Sequence, residues 1–278
     1  MTILEKKVYC LGGIMADPEI LRYLASKTGL GLKYLSKDEK ISIVLEQIRD
    51  LFPEVTLKGG TAINRVYLAR LGVSRFSEDI DLDFISNKSL NEKISTIEER
   101  LVGIKGFDIE GPRILHRTLR FDCYYMNEFD EKDRVRIEIY LTMTKFLKIE
   151  DTIVKSPFIE THPVIFKVYS LEDLMARKLI ALYNRMEGKD IYDLFYCLDM
   201  DFDKENLFKA LKIMQNFYRI NQASFVNDLL SRLKNARKNS YYVGNSTNHF
   251  IPRDLRPGWK VFIDTLILKI ERRLSDLK

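Results

Sequence analysis

Residues 57–84 read LKGGTAINRVYLARLGVSRFSEDIDLDF, and the reading of this stretch decides the fold. A short apolar run, Val55 to Lys58, enters Gly59 and Gly60; residues of good helical character follow to Leu71; a strand pattern then carries Asp79, Asp81 and Asp83. Side chains alternate along a strand, so the three aspartates share one face while Ile80, Leu82 and Phe84 share the other. Carboxylates at this spacing repel one another, and the apolar face opposite them places the strand in a core. A hard divalent ion, Mg2+ or Mn2+, turns that repulsion into oxygen ligation and leaves positions for phosphate oxygens and water. Two glycines ahead of a helix let the backbone approach a ligand closely, and the helix N-terminus offers free N–H groups to a phosphate. Together these pieces describe a place to hold a nucleoside triphosphate by its phosphates and a metal. Each alone has a plainer reading, an edge strand with a solvated face or an ordinary turn. Their order, joined by one helix, is what carries the argument.

Working outward, the 278 residues are 46% hydrophobic, enough for a substantial core in one large domain or two ordinary ones. No run approaches the roughly 18 apolar residues of a membrane span. Val8 to Ala16, after Lys6 and Lys7, superficially resembles a targeting h-region, but it is short, contains Gly12 and Gly13 and leads into a helix start at Pro18, so an ordinary N-terminal segment is expected. Cys10, Cys123 and Cys197 have no CxxC spacing and read as reduced core thiols of a cytoplasmic protein. His116, His162 and His249 are far apart and form no ligand motif. From Asp201 onward there are 15 Lys and Arg against 8 Asp and Glu, a charge of +7, which leaves −2 for residues 1–200. A basic C-terminal third beside an acidic, metal-seeking site suits a polyanionic acceptor such as RNA, although a solvated helical surface explains the charge equally well.

Along the chain, Asp17-Pro18 opens one helix, and Ser36 with Glu39 forms a capping-box pattern for a second, the two separated by Gly29 and Gly31 and ended by Pro53. Residues 86–103 read as a helix. Phe107 to Glu110, Thr118 to Tyr125 and Arg134 to Leu141 read as strands bounded by Gly111-Pro112 and the acidic run Glu128 to Asp133. The last of these puts Arg134, Arg136, Glu138 and Tyr140 on one face, which makes Glu138 a candidate third carboxylate. Thr142 to Val168, with Pro157 and Pro163, reads as a connector with one strand near Ile165. The expected division is therefore 1–165, an α/β part with N-terminal helices, and 166–278, a helical basic part. That second part opens with a Ser170/Asp173 cap, is broken at Gly188, resumes over Lys189 to Leu198, and continues with helices near 203–217, 221–236 and 258–274 around a loop from Asn239 to Asn248. In its first two helices Lys178 and Arg185 are two turns apart on one face, and Asp190 and Asp193 are neighbours at i, i+3.

The ordered strings KGGTAINR, RFSEDIDL, an IEI strand, LEDLMARKLIALYNR and KDIYDL resemble the nucleotidyltransferase toxins of the AbiEii/AbiGii type, which include the MenT-like enzymes. The resemblance runs from about Lys37 to Leu198. It implies an α+β, DNA polymerase β-like minimal nucleotidyltransferase fold, a mixed sheet flanked by helices, with a helical C-terminal domain facing it across a cleft. It implies Asp79, Asp81 and Glu138 as metal ligands for Mg2+ or Mn2+, with Asp83 ranked below them. Asp79, Asp81, Glu138, Lys178 and Asp190 are the implied catalytic residues, and Lys58, Gly59, Gly60, Thr61, Ser77, Arg185 and Asp193 the implied nucleotide contacts. Lys189 stands where an Arg is commoner, which keeps the charge and loses the bidentate fork. The implied activity is metal-dependent transfer of a nucleoside monophosphate from an NTP to an RNA acceptor such as the tRNA 3′ end, with a cognate antitoxin as partner. Tyr241, Tyr242 and Trp259 would stack on bases if exposed. Transfer to a protein or small molecule, or a catalytically silent antitoxin- or nucleic-acid-binding module, are the alternatives.

Overall fold

The computed structural model describes residues 16–142 and 145–274. Cys10 and most of the Val8 to Ala16 stretch lie outside the described residues. Helix α1 (Pro18–Thr28) starts where Asp17 accepts a hydrogen bond from the Glu19 N–H, and it stops at Gly29 in the left-handed conformation. Helix α2 (Leu32–Leu51) begins four residues ahead of the expected cap. Ser36 sits inside that helix and donates instead to Glu128 at 2.5 Å, a partner 92 residues away that no local pattern could announce.

Strand β1 (Val55–Lys58) runs into α3 (Gly59–Ala62), a π-helical stretch Ile63–Leu68 and α4 (Ala69–Leu71). The π-helical stretch is pinned to α2 by a buried ion pair, Arg65 to Asp38 at 2.6 Å. Strand β2 (Asp79–Phe84), α5 (Leu90–Leu101), and the antiparallel run β3 (Asp108–Leu115), β4 (Thr118–Met126) and β5 (Lys132–Tyr140) follow. Gly111-Pro112 does not end β3: the strand passes it with a register shift between Glu110 and Arg113. Proline is tolerated there because β3 is a sheet edge.

The segment read as a connector contains two strands, β6 (Ile149–Val154) and β7 (Val164–Tyr169), paired with each other. They complete a seven-stranded mixed sheet in the order β3-β4-β5-β2-β1-β7-β6, with β7 parallel to β1 and β5 parallel to β2. A division between residues 165 and 166 would cut β7, so the sheet extends to Tyr169 and the helical part begins at α6 (Leu171–Arg185). The Ser170 cap expected for α6 is present, with its hydroxyl accepting from the Asp173 N–H. The remaining elements are α7 (Gly188–Cys197), α8 (Lys204–Tyr218), α9 (Phe225–Lys238), α10 (Ser240–Asn245), two 3-10 turns and α11 (Trp259–Arg273). Helix α10 and the turn Asn248–Phe250 occupy the stretch expected as a loop.

One apolar cluster joins the sheet to both sets of helices. Ile80 and Leu82 of β2, Ile137 and Ile139 of β5, and Ile41, Val44, Leu45 and Ile48 of α2 are all buried in it, together with Leu174 and Leu179 of α6. Each such side chain contributes about 1.5–3 kcal/mol, and the alternation along β2 then forces Asp79, Asp81 and Asp83 onto the opposite face. Cys123 and Cys197 are buried free thiols, as expected. Among the described residues no helix is long and apolar enough to cross a membrane.

Candidate active site

The parallel register of β2 and β5 sets Asp79 beside Arg136, Asp81 beside Glu138 and Asp83 beside Tyr140, while antiparallel β1 sets Lys58 beside Asp81. Gly59, the next residue, has φ +71°, a left-handed conformation that favours glycine. A Cβ built there would lie 2.1 Å from Asp81 Oδ2. A Cβ on Gly60 would meet Arg75 Nη2 and Ser77 Oγ, each at 2.9 Å. The two glycines thus hold the first turn of α3 against the carboxylates with no room for a side chain. Gly59→Ala is therefore expected to displace Asp81 and abolish transfer, while strain in the left-handed region destabilises the fold by about 1–2 kcal/mol. Denaturant melts and a transfer assay on the same preparation check this; wild-type transfer by the variant would contradict the close approach.

Burial raises the Asp81 carboxyl to about 6, with Asp79 and Glu138 adding to the effect and Lys58 and Lys178 opposing it. Asp79 is raised too, chiefly by burial, with Glu78 and Glu138 reinforcing and Arg136 and Lys189 opposing. Its nearest cation, Arg136 Nη1, is 4.0 Å away. Glu138 is held differently: Arg120 donates to its Oε1 from Nε at 2.9 Å and from Nη2 at 2.7 Å. Among the described residues no three acidic, His or Cys side chains converge into a ready cage. The expected set of three metal carboxylates is thus a pair, Asp79 and Asp81, with Glu138 beside it under Arg120. A pair fits Mg2+ or Mn2+ at a nucleotide site, where one or two carboxylates and the substrate's phosphates share the coordination sphere.

Asp83 is not part of that pair. Lys58 and Arg177, the latter at 3.3 Å, and the Tyr169 hydroxyl at 2.7 Å already serve its carboxylate. Lys58, expected at the nucleotide, is correspondingly tied to Asp83. The hydroxyl of Thr61 donates to the Asp79 carbonyl oxygen and fastens α3 to β2, so only the backbone of Thr61 is left for a phosphate.

Helices α6 and α7 supply a second layer. Lys178 Nζ lies 2.9 Å from Asp190 Oδ1 and 2.9 Å from Asp193 Oδ2. Arg185 donates to Asp190 at 2.7 and 3.1 Å, and Arg75 donates to both oxygens of Asp193 at 2.9 and 2.6 Å. The result is an alternating line, Arg75, Asp193, Lys178, Asp190, Arg185, buried except at its Arg185 end. Burial works against every charge in it but is outweighed: Asp193 and Asp190 hold Lys178 above its ordinary value, and Lys178 with Arg185 holds Asp190 well below the carboxylate range. Asp193, also lowered, has no exposed surface and both oxygens occupied, so it positions Arg75 and Lys178 and does not touch a nucleotide.

Arg75 and Asn64 are functional residues that sequence reasoning missed. Asn64 donates to Gly60 O at 2.9 Å and to Asp193 at 3.1 Å while accepting from the Arg75 N–H at 2.8 Å, which ties the glycine turn to α7. The only local signal for Arg75 is its place two residues before Ser77. Trp259 is buried and donates its indole N–H to Asn248 at 2.8 Å, so it is a packing residue; Tyr241 and Tyr242 are exposed. A cavity of about 370 Å³ lined by Lys33, Tyr34, Lys37, Glu78, Glu131, Lys132 and Asp133 opens beside Asp79.

A family model described as the nucleotidyl transferase AbiEii toxin of type IV toxin–antitoxin systems matches residues 43–273. Among solved structures, the fold is similar to MenT4, a nucleotidyltransferase toxin of Mycobacterium tuberculosis H37Rv, with TM-score 0.64 and 16% identity over 94% of this chain and 89% of that one. It is also similar to JHP933 from Helicobacter pylori, with TM-score 0.53 and 16% identity over 89% of this chain and 97% of that one. A search of curated proteins gives no match.

Proposed function

This chain belongs to the AbiEii nucleotidyltransferase toxin family, and from that premise we propose that it transfers a nucleoside monophosphate from an NTP to a hydroxyl of an RNA acceptor such as the tRNA 3′ end, using Mg2+ or Mn2+. The observation that carries the reading is the pair Asp79 and Asp81, pressed against a glycine turn that tolerates no Cβ and faced by Lys178 and Arg185. When bound by the two aspartates, the divalent ion supplies neutralisation of triphosphate charge and a lowered pKa for the attacking hydroxyl.

The chain's own groups do the rest. Backbone N–H groups of Gly60 and Thr61 open α3 toward the phosphates. Arg185, half-exposed at the end of the ionic line, reaches the leaving pyrophosphate, and Lys178 sets the field behind it. The acceptor oxygen bonds to the α-phosphorus as the bond to pyrophosphate breaks, and the hydroxyl proton leaves to a carboxylate. Asp190 is a poor base, since both its oxygens are bonded and its carboxyl is held low. Asp79 and Glu138 are the carboxylates suited to that role. The +7 charge of residues 201–278 and the exposed rings of Tyr241 and Tyr242 favour an RNA acceptor over a small one. A cognate antitoxin is the expected protein partner of a toxin in such a system, and a cytoplasmic site of action is the expected one.

The test is incubation of the protein with Mg2+, each labelled NTP in turn and total RNA. Label in the tRNA band is expected; label in a protein band instead would overturn the RNA acceptor, and none anywhere would overturn nucleotidyl transfer.

A further inference from the structure

Beyond Asp81, the same sheet face continues to Asp83, and its register neighbour on β5 is Tyr140. Lys58 Nζ lies 4.7 Å from the centre of the Tyr140 ring, and the Arg177 guanidinium lies 4.3 Å from the centre of the Tyr169 ring. Lys58, Arg177 and Tyr169 are all drawn in by Asp83, so this end of the cleft has a firm floor with Tyr140 half-buried in it. Helix α8 starts beside α6, where the Asp203 N–H donates to Glu172 at 3.0 Å, and it ends on two aromatic rings, Phe217 and Tyr218, 5.0 Å apart. Tyr218 is 50% exposed, yet its hydroxyl is raised by burial and by the charges of Tyr140 and Asp83, which places it over the same end of the cleft.

Asp81 and Asp83 are two residues apart, about 7 Å along a strand. That is close to the reach of a ribose. A triphosphate held at Gly60 and Asp81 therefore carries its base to the level of Tyr140, with the Tyr218 ring available above it. We propose that Tyr140 and Tyr218 form the nucleobase slot of the NTP site, the base stacking on Tyr218 over a floor fixed by Asp83, Lys58 and Arg177. The proposal rests on the nucleotidyl-transfer reading of the site. Because every base has a π-face, stacking contributes affinity for all four NTPs more than choice among them.

The experiment is equilibrium binding, with Mg2+ present, of ATP, GTP, CTP, UTP and inorganic tripolyphosphate to the wild-type chain, Tyr218→Ala and Tyr218→Trp. Tripolyphosphate has the charge of the cradle's ligand and no base. Tyr218→Ala is expected to weaken NTP binding about tenfold or more and leave tripolyphosphate unchanged, and Tyr218→Trp to restore NTP binding. Unchanged NTP affinity in Tyr218→Ala overturns the slot while the phosphate site stands. An equal loss for tripolyphosphate also overturns it, since the ring would then serve the cradle. Wild-type protein that binds neither NTP nor tripolyphosphate overturns the nucleotidyl-transfer reading and the slot with it.

Discussion

Replacing Asp81 with asparagine cuts nucleotide transfer by about 10³-fold and, in the metal-free protein at pH 8, raises the melting temperature. The loss of activity follows from removing one of two metal carboxylates, which forfeits several kcal/mol of charge stabilisation. The gain in stability follows from the carboxyl itself. Its ordinary value is 3.8 and burial raises it to about 6 in the fold. Below 3.8 both the folded and the unfolded chain hold the proton, and Asp81 costs the fold nothing. Between 3.8 and about 6 the unfolded chain ionises first, so stability falls as pH rises, and above about 6 the deficit levels off at about 3 kcal/mol. Asparagine carries no such penalty. In the wild-type protein Mn2+ restores the deficit only where the carboxylate is ionised; at a hundredfold excess over its dissociation constant it adds about 2.7 kcal/mol. Melting temperature against pH, with and without Mn2+, separates the two proteins: the wild type slopes down from pH 4 to 6 without metal and gains from Mn2+ above pH 6, while Asp81→Asn does neither. Superimposable profiles, or a Mn2+ shift that survives the substitution, would sink both the metal assignment and its electrostatic cause.

The carboxylate strand was legible because its code is local. Alternation puts Asp79 and Asp81 on one face whatever lies beyond, and Gly59 and Gly60 announce the turn that needs them. The α6 cap and the alignment of Lys178 with Arg185 are likewise written within a few residues. What stayed hidden is set by partners far along the chain. Arg75 meets Asp193 across 118 residues, and Ser36 meets Glu128 across 92, which turns an apparent helix cap into a buried tie. Asp83 looked equivalent to Asp81 in sequence, and only the arrival of Lys58, Arg177 and Tyr169 gives it a different part. Strands β6 and β7 escaped for another reason. Each has six residues, and between proline-bearing loops six residues make a weak period, although β7 lies beside β1 inside the sheet.

Removing Asp193 has the largest expected effect on stability. Its oxygens satisfy Arg75 at 2.9 and 2.6 Å and Lys178 at 2.9 Å, and all three side chains are almost fully buried. Asp193→Ala leaves buried cations without their counter-ion, a change that costs about 3–5 kcal/mol. Against a typical total of about 5–15 kcal/mol that is a large fraction, and the denaturant midpoint should fall accordingly. Loss of transfer in such a variant says little by itself, because a partly unfolded enzyme is inactive for trivial reasons. The double variant Arg75→Met with Asp193→Leu separates the cases. It replaces one ion pair by apolar side chains and leaves Lys178 with Asp190, so much of the stability should return. Transfer should not return, since Arg75 Nη2 stands beside Gly60 at the phosphate cradle and Lys178 has lost one of the two carboxylates that aim it. Recovery of activity along with stability would mean that the buried line only holds the helices together. A well-folded double variant that binds NTP weakly and transfers poorly would mean that it also sets the charge against which the pyrophosphate leaves.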